Sequence, residues 1–409
     1  MKRLLAFALF SLAVTPCLTA HAEDKQPSGR LVIKSEVLGE ERVALVRTPA
    51  NYGINDVRYP VLYMTDGAAH VGHTAGTIEF LAQNGRMPEM IIVAITNTDR
   101  TRDLTPTKGK DTEGKELASS GGADKFLKFI ETELIPQVEK TYRTQPYRIF
   151  AGHSLGGLLA VHAFATKNDL FNAFIAVSPS LWWDNQVAIK ETEKFLQGRK
   201  DLERGLFVTL GDEKGGMRAG YDKLKDLLGH QHLKDFAWDS MLMEDEDPGT
   251  VVLRSHYFAL KKLFDGWQGG PKLLAGGLPA VEEHYKKLSA KYKYTVVPPE
   301  TLINQLGYRL LGDNKKDEAI AVFESNVKRY PNSANVYDSL AEGYEKSGKM
   351  DLAKPNYERA VQLATKNNDA NLPLFRINFE RASKAVNCEE PVLPAFVGWP
   401  DHDGGLCRA

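Results

Sequence analysis

Residues 150–157 read Phe150-Ala151-Gly152-His153-Ser154-Leu155-Gly156-Gly157, and within them Gly152 to Gly156 form a G-x-S-x-G pentapeptide. The run before it, Tyr147-Arg148-Ile149-Phe150-Ala151, predicts a strand, and Leu155 to Thr166 (LGGLLAVHAFAT) predicts a helix of small residues that can lie close to a sheet. A serine between strand and helix with glycine two positions to either side is the signature of a nucleophile elbow. The chain turns so sharply there that a Cβ at either glycine would collide with its neighbours. The elbow lifts Ser154 Oγ above the sheet, and the helix N-terminus points spare N–H groups, Leu155 first, at the space where an oxyanion would form. Ser154 is the candidate nucleophile.

Outward from the elbow, from about Leu31 to Trp267, apolar runs alternate with helical stretches. The runs are Val43–Val46, Pro60–Met64, Met90–Ile95, Arg148–Ala151, Ala173–Val177, Gly205–Leu210 and Ala237–Met243. Near-continuous apolar strands separated by helices indicate a mostly parallel sheet covered on both faces, an α/β fold. Gln268-Gly269-Gly270-Pro271 and Gly276-Gly277-Leu278-Pro279 mark a linker zone, with a flanking helix expected over Pro279 to Tyr294.

Beyond the linker a period of 34 emerges. Leu306, Gly307, Ala319, Phe323 and Pro331 are answered by Leu340, Ala341, Ala353, Tyr357 and Thr365, and the second copy adds Tyr337, Tyr344 and Ala360. Small residues let two helices of a unit touch while aromatics fill the gap. The pattern resembles the tetratricopeptide repeat, with two copies over about 300–367; an ordinary helical hairpin is the plainer reading. Two units bury little alone, so they are expected to pack on the catalytic domain or a flanking helix and are a candidate surface for a protein partner.

Composition narrows the class further. Lys plus Arg number 52 against 53 Asp plus Glu, a formal net charge of −1, which gives no reason to expect nucleic acid or an anionic membrane as partner. Met1-Lys2-Arg3, the apolar run Leu4 to Val14 and Ala20-His21-Ala22 read as a signal peptide over 1–22, so the product is expected to be periplasmic or secreted. Thr15-Pro16 before Cys17 is a poor setting for lipid attachment, and no other apolar stretch is long enough to span a bilayer. Without the signal, Cys388 and Cys407 remain as an even pair, expected to close the tail (368–409) by a disulfide.

Three further segments carry a wider resemblance: Leu62-Tyr63-Met64-Thr65-Asp66-Gly67, Asp99-Arg100-Thr101-Arg102-Asp103-Leu104-Thr105-Pro106, and Ser178-Pro179-Ser180-Leu181-Trp182-Trp183. With the elbow they make Val43 to Trp267 resemble an esterase family of α/β-hydrolases that includes trilactone siderophore esterases, S-formylglutathione hydrolases and feruloyl esterases. The resemblance implies that Gly67 or Ala68 supplies the second oxyanion N–H beside Leu155. It further implies that an arginine near the pocket meets an anionic or catecholate substrate. Arg102 is the candidate, against a loop-stabilising ion pair with Asp99 or Asp103. Trp182 and Trp183 are candidates for an aromatic wall, with at least one expected to be plain core.

A serine hydroxyl needs a base, and the triad order in this fold is Ser, acid, His. The acid is expected after Leu206–Leu210, with Asp212 preferred to Glu213. Where the family reads roughly E-x-H-G-S/T, this chain reads Glu246-Asp247-Pro248-Gly249-Thr250, so proline, with no proton acceptor, occupies the expected base position. His256, eight residues on, is the nearest candidate base; its spacing to Leu253 and Leu260 equally fits a hydrogen-bonded core histidine. His70 and His73 lie in the oxyanion segment, His153 flanks the nucleophile, and His230 with His232 fit a surface turn better than a metal site.

The sequence thus predicts an α/β-hydrolase domain (23–270), a linker and flanking helix (271–299) and an all-α repeat domain. The domain would hydrolyse a carboxylic ester through an acyl-enzyme on Ser154 with no metal or organic cofactor; the alternative is an impaired hydrolase homologue acting as a binding module, because of Pro248.

Overall fold

The computed structural model describes residues 29–53, 57–110 and 114–386. The signal segment with Cys17, and the Cys388–Cys407 pair, lie outside the described residues.

The chain divides at Gln268/Gly269 into two units. The first is built on eight strands: β1 (Gly29–Ser35), β2 (Glu40–Arg47), β3 (Tyr59–Met64), β4 (Ile91–Ile95), β5 (Thr144–His153), β6 (Ala173–Val177), β7 (Gly205–Leu210) and β8 (Ala237–Leu242). Their order across the sheet is β1-β2-β4-β3-β5-β6-β7-β8. From β4 to β8 all neighbours pair parallel, while β1 and β2 form an antiparallel edge. Seven of the strands fall on the seven apolar runs; β1 had no run of its own, because as an edge strand it is mostly exposed.

The strand connections are helical: α1 (Gly67–Gln83), α2 (Arg100–Leu104), α3 (Ala123–Phe129), α4 (Ile135–Thr141), α5 (Leu155–Thr166), α6 (Trp183–Leu196), α7 (Gly216–Gly229) and α8 (Val251–Leu263). Parallel strands need such crossovers, and the helices cover both sheet faces. On one face Tyr63, Phe150, Phe174 and Val208 join a core with Phe126 of α3, Leu158 of α5 and Ile189 of α6. The alternate residues face the other way, where the Tyr147 ring meets Phe264 just past α8. Among the described residues no helix is long and apolar enough to cross a membrane.

The second unit is helical: α9 (Pro271–Ala275), α10 (Gly277–Tyr292), α11 (Glu300–Gly312), α12 (Lys316–Arg329), α13 (Ala334–Lys346), α14 (Met350–Asn367) and α15 (Leu372–Val386). Helices α13 and α14 begin 34 residues after α11 and α12 (334 − 300 and 350 − 316). The small and aromatic positions of the sequence pattern form its interior. Phe323 packs with Ala319, Ile320 and Leu340, and its ring fills the space a Cβ on Gly307 would need. Tyr357 packs with Ala341, Ala353 and Ala382. The segment read as a tail from 368 onward is helical as far as Val386: Phe375 and Ala382 of α15 are buried against α14 and α13. Its amphipathic pattern falls outside the 34-residue copies, which is why the period did not reveal it.

Candidate active site

Ser154 stands between β5 and α5 with φ 58° and ψ −113°, a backbone state that L-residues adopt only under constraint. The constraint is visible. Its N–H donates to Val177 O (2.9 Å), and its carbonyl accepts from Leu158 N (2.9 Å) and Ser180 N (3.1 Å). A Cβ on Gly152 would run into the Gly156 carbonyl, and one on Gly156 into Thr65 Oγ1, so only glycine allows this approach. The turn brings Thr65-Asp66-Gly67, at the end of β3 and the start of α1, against the start of α5. Both helix starts, at Leu155 and at Gly67, carry N–H groups without intrahelical partners.

Asp66 anchors this corner. Its carboxylate accepts from Asn97 Nδ2 (2.6 Å) and Arg100 Nε (2.7 Å), and Arg100 also donates to His153 O (3.1 Å). Burial disfavours the charge on Asp66, but the Arg100 and Asn97 hydrogen bonds outweigh it and hold its pKa below the ordinary value. Arg100 thus ties Asp66 to the His153 carbonyl.

Arg102 is committed elsewhere. Its guanidinium donates to both oxygens of Glu40 (3.1 and 2.5 Å) and to Asp103 Oδ1 (2.7 Å), while Asp103 also binds Arg42 (2.5 Å). The substrate-binding expectation for Arg102 gives way to the ion-pair alternative, because a partly buried network already satisfies its donors. The tryptophans part company as well. Trp183 is buried, donates to Thr107 O (3.3 Å) and belongs to the core. Trp182 is half-buried and lines a cavity of about 500 Å³ with Lys108, Lys110, Leu117, Asp184 and Asn185. Asp184, Asn185 and Gln186 in succession take left-handed conformations (φ 42°, 51° and 65°), strain concentrated at the cavity wall.

The carboxylate after β7 is reversed from expectation. Asp212 is exposed and pairs with Lys214, whereas Glu213 turns inward, accepting from Ser178 Oγ (2.5 Å) and Gly211 N (3.1 Å). The tight approach of Gly211 to the Glu246 carbonyl, and the Asp212 N–H bond to that same carbonyl (2.7 Å), direct Asp212 to solvent. These contacts also place the Glu246–Thr250 loop beside the end of β7. Pro248 sits there in an exposed turn held by Asp247, whose Oδ1 accepts from Gly249 N (2.7 Å) and Thr250 N (2.9 Å).

His256 is a core histidine in this geometry. It is buried, and its Nδ1 lies 2.9 Å from Thr74 Oγ1; since that hydroxyl donates to His70 O, its oxygen accepts from His256 Nδ1–H. Burial, reinforced by neighbouring histidines, pushes its pKa down to about 3. It belongs to a row of four imidazoles. His256 stacks on His73 (5.9 Å), His73 Nε2 lies 3.1 Å from His70 Nδ1, and His70 meets His153 edge-on (5.7 Å). The row was missed as a unit; the H-x-x-H spacing of His70 and His73 was its one sequence signal. Ser154 Oγ lies 3.3 Å from Ser180 Oγ, and among the described residues no imidazole is hydrogen-bonded to it. Neither this row nor any other group of three or more His, Cys, Asp or Glu side chains among the described residues is arranged to hold a metal ion.

Residues 35–209 match a family model described as "Putative esterase". The chain is 35% identical over 172 residues to the ferri-bacillibactin esterase BesA of Bacillus subtilis, covering 37% of this chain and 58% of that one. It is 33% identical over 167 residues to the siderophore triacetylfusarinine C esterase of Aspergillus fumigatus, covering 37% and 56%. The chain therefore spans a little over half the length of these curated relatives. Among solved structures, an IroE-like serine hydrolase from Shewanella oneidensis aligns with a TM-score of 0.62 and 27% identity, over 74% of this chain and 99% of that one. These similarities and the eight-stranded sheet agree on an α/β-hydrolase-like fold.

Proposed function

We propose that the sheet unit is a serine esterase that cleaves a carboxylic ester through an acyl-enzyme on Ser154. The observation that carries this reading is the strained elbow, which presents Ser154 between two helix N-termini where acyl transfer concentrates negative charge. Attack by Ser154 Oγ on the ester carbonyl, its proton passing to solvent, would form a tetrahedral oxyanion facing the N–H groups of Leu155 and Gly67. Its collapse would break the ester C–O bond and expel the alkoxide, which takes a proton from solvent to leave as the alcohol. Water would then hydrolyse the acyl-enzyme. Two of the named relatives are esterases of ferri-bacillibactin and of the siderophore triacetylfusarinine C, so the reading extends to a siderophore- or aryl-type ester, with Trp182 and its cavity receiving one part of the molecule. With Pro248 at the base position and a serine as the hydroxyl's neighbour, the rate rests on oxyanion stabilisation and binding, which sustain about 10³–10⁴-fold over water in hydrolases stripped of triad members.

A second reading has a specific observation behind it. Pro248 and the absence of a hydrogen-bonded imidazole at Ser154, among the described residues, suit a homologue that keeps the pocket for binding. The helical unit fits two tetratricopeptide-like repeats docking a protein partner, and the N-terminal segment fits a periplasmic or secreted protein.

Short p-nitrophenyl esters and a fluorophosphonate probe, applied to the protein and to Ser154→Ala, test the assignment. The esterase reading expects slow turnover and a single adduct on the native chain and neither on the variant. Equal labelling of both forms removes Ser154 from the mechanism, and background turnover with no adduct favours the binding module.

A further inference from the structure

A second cavity, of about 550 Å³, lies at the other end of the oxyanion helix, lined by Arg47, Ile78, Glu79, Glu89, Met90 and Ile92 among others. Its place is fixed by topology. Arg47, the last residue of β2, pairs with Ile92 at the start of β4, so the cavity opens at the N-terminal edge of the parallel strands. Ser154 stands at the C-terminal edge. Gly67 and Glu79 are twelve residues apart on α1, about 18 Å along the helix axis. The cavity is thus separate from the esterase site and plays no part in that proposal.

The wall chemistry is unbalanced in a specific way. Glu89 is exposed on the cavity wall and has no ion pair or hydrogen bond among the described residues, and the likewise exposed Glu79 accepts only from Gln83 (3.1 Å). Partial desolvation at the wall and the neighbouring Glu79 charge push the Glu89 pKa upward, as expected of a carboxylate with no counter-ion beside it. Arg47 contributes an exposed guanidinium that is also without an ion pair among the described residues. Ala75, Ile78, Ala82, Met90 and Ile92 add apolar wall beside the polar Thr48 and Gln83. Two carboxylates against an apolar wall favour an organic ammonium over a divalent metal ion, which takes six or more oxygen ligands. The guanidinium matches a carboxylate, and the volume falls in the range of small-molecule sites.

We infer that this cavity binds a small zwitterion with an apolar body, an aliphatic α-amino acid, its ammonium on Glu89 and Glu79, its carboxylate on Arg47 and its side chain against Ile78, Met90 and Ile92. Such a ligand supplies the cation that the carboxylate pair lacks. The site is a binding site, and no bond is made or broken there.

Calorimetry and thermal-shift measurements on the full chain with L-leucine, leucinamide and N-acetyl-leucine test it. L-leucine should bind saturably and raise Tm. Leucinamide, lacking the carboxylate, and N-acetyl-leucine, lacking the ammonium, should each bind about tenfold more weakly or worse, as loss of a charge-assisted hydrogen bond implies. Glu89→Gln removes one of two like charges, so it should fold at least as well as the native chain while losing leucine affinity by a similar factor. Arg47→Gln, at an exposed position, should lose the discrimination between leucine and leucinamide. Absence of saturable binding by leucine, valine and methionine at millimolar concentration overturns the proposal. So does leucine binding unchanged in both variants, or a calcium-dependent stabilisation that Glu89→Gln abolishes and leucine does not compete.

Discussion

Replacing His162 by leucine should remove a pH-dependent part of the stability of α5, the helix that follows Ser154. His162 lies on α5, is buried, and has a carboxylate at each ring nitrogen: Glu191 Oε2 at 2.7 Å from Nδ1 and Asp124 Oδ1 at 2.9 Å from Nε2. A neutral imidazole has only one N–H, so donation at both nitrogens requires the imidazolium. Burial pulls its pKa down, but the hydrogen bonds to Glu191 and Asp124 outweigh burial and hold it above the ordinary value. Asp124 is 81% exposed and Glu191 28%, so solvent screens the first bond and the second dominates. One hydrogen bond to a charged group contributes about 1.5–3 kcal/mol. Because the folded pKa is raised, the folded state holds the proton more tightly. The stabilisation is fully present below the unfolded value of about 6.5 and is lost as pH rises through the folded value above it. Deprotonation leaves one N–H to keep Glu191 and gives up the screened bond to Asp124, so urea unfolding from roughly pH 6 to pH 9 should show the native chain losing about 0.5–1.5 kcal/mol more than His162→Leu. The depressed histidines, His153 (about 4) and His256 (about 3), titrate below 6.5 in the folded state and act with the opposite sign in a lower window. Parallel pH profiles for the native chain and His162→Leu would refute the reasoning, as would an NMR titration placing the His162 pKa below the ordinary histidine value.

Pro248→His should raise esterase kcat/KM by about 10²-fold or more if its loop holds the imidazole at Ser154, the usual scale of general-base catalysis, and steady-state kinetics on p-nitrophenyl esters measures it. His256→Ala in the native background should leave kcat/KM within about threefold while lowering Tm, since it removes a buried side chain bonded to Thr74; loss of turnover with stability intact would restore His256 as the base. In the Pro248→His background, Glu213→Gln should lower kcat more than Asp212→Asn, because Glu213 faces Ser178 and Asp212 faces solvent. Phe323→Ala should destabilise the helical unit by about 3–5 kcal/mol, read by chemical unfolding, as the ring fills the space beside Gly307 and packs with Ile320 and Leu340.

Much of this molecule was written locally. The elbow is a contiguous strand–glycine–serine–glycine–helix signal, so reading it needs no knowledge of distant chain, and the parallel strands announce themselves as apolar runs because both their faces are covered. The 34-residue spacing of α11 to α14 is likewise local. Glu213 turns inward and Asp212 outward because of contacts with the Glu246 carbonyl and Ser178 hydroxyl, which sequence position does not reveal. Arg102 is taken by Glu40, 62 positions earlier, and His256 by Thr74, 182 positions earlier. A long polar side chain goes to whichever partner the fold brings within hydrogen-bond reach, and that choice is made among residues far apart in the chain. The backbone plan and the serine-bearing elbow were set by short-range pattern; the partners of the charged and imidazole groups, and with them the roles those groups can play, were decided only when the sheet and its helices closed around them.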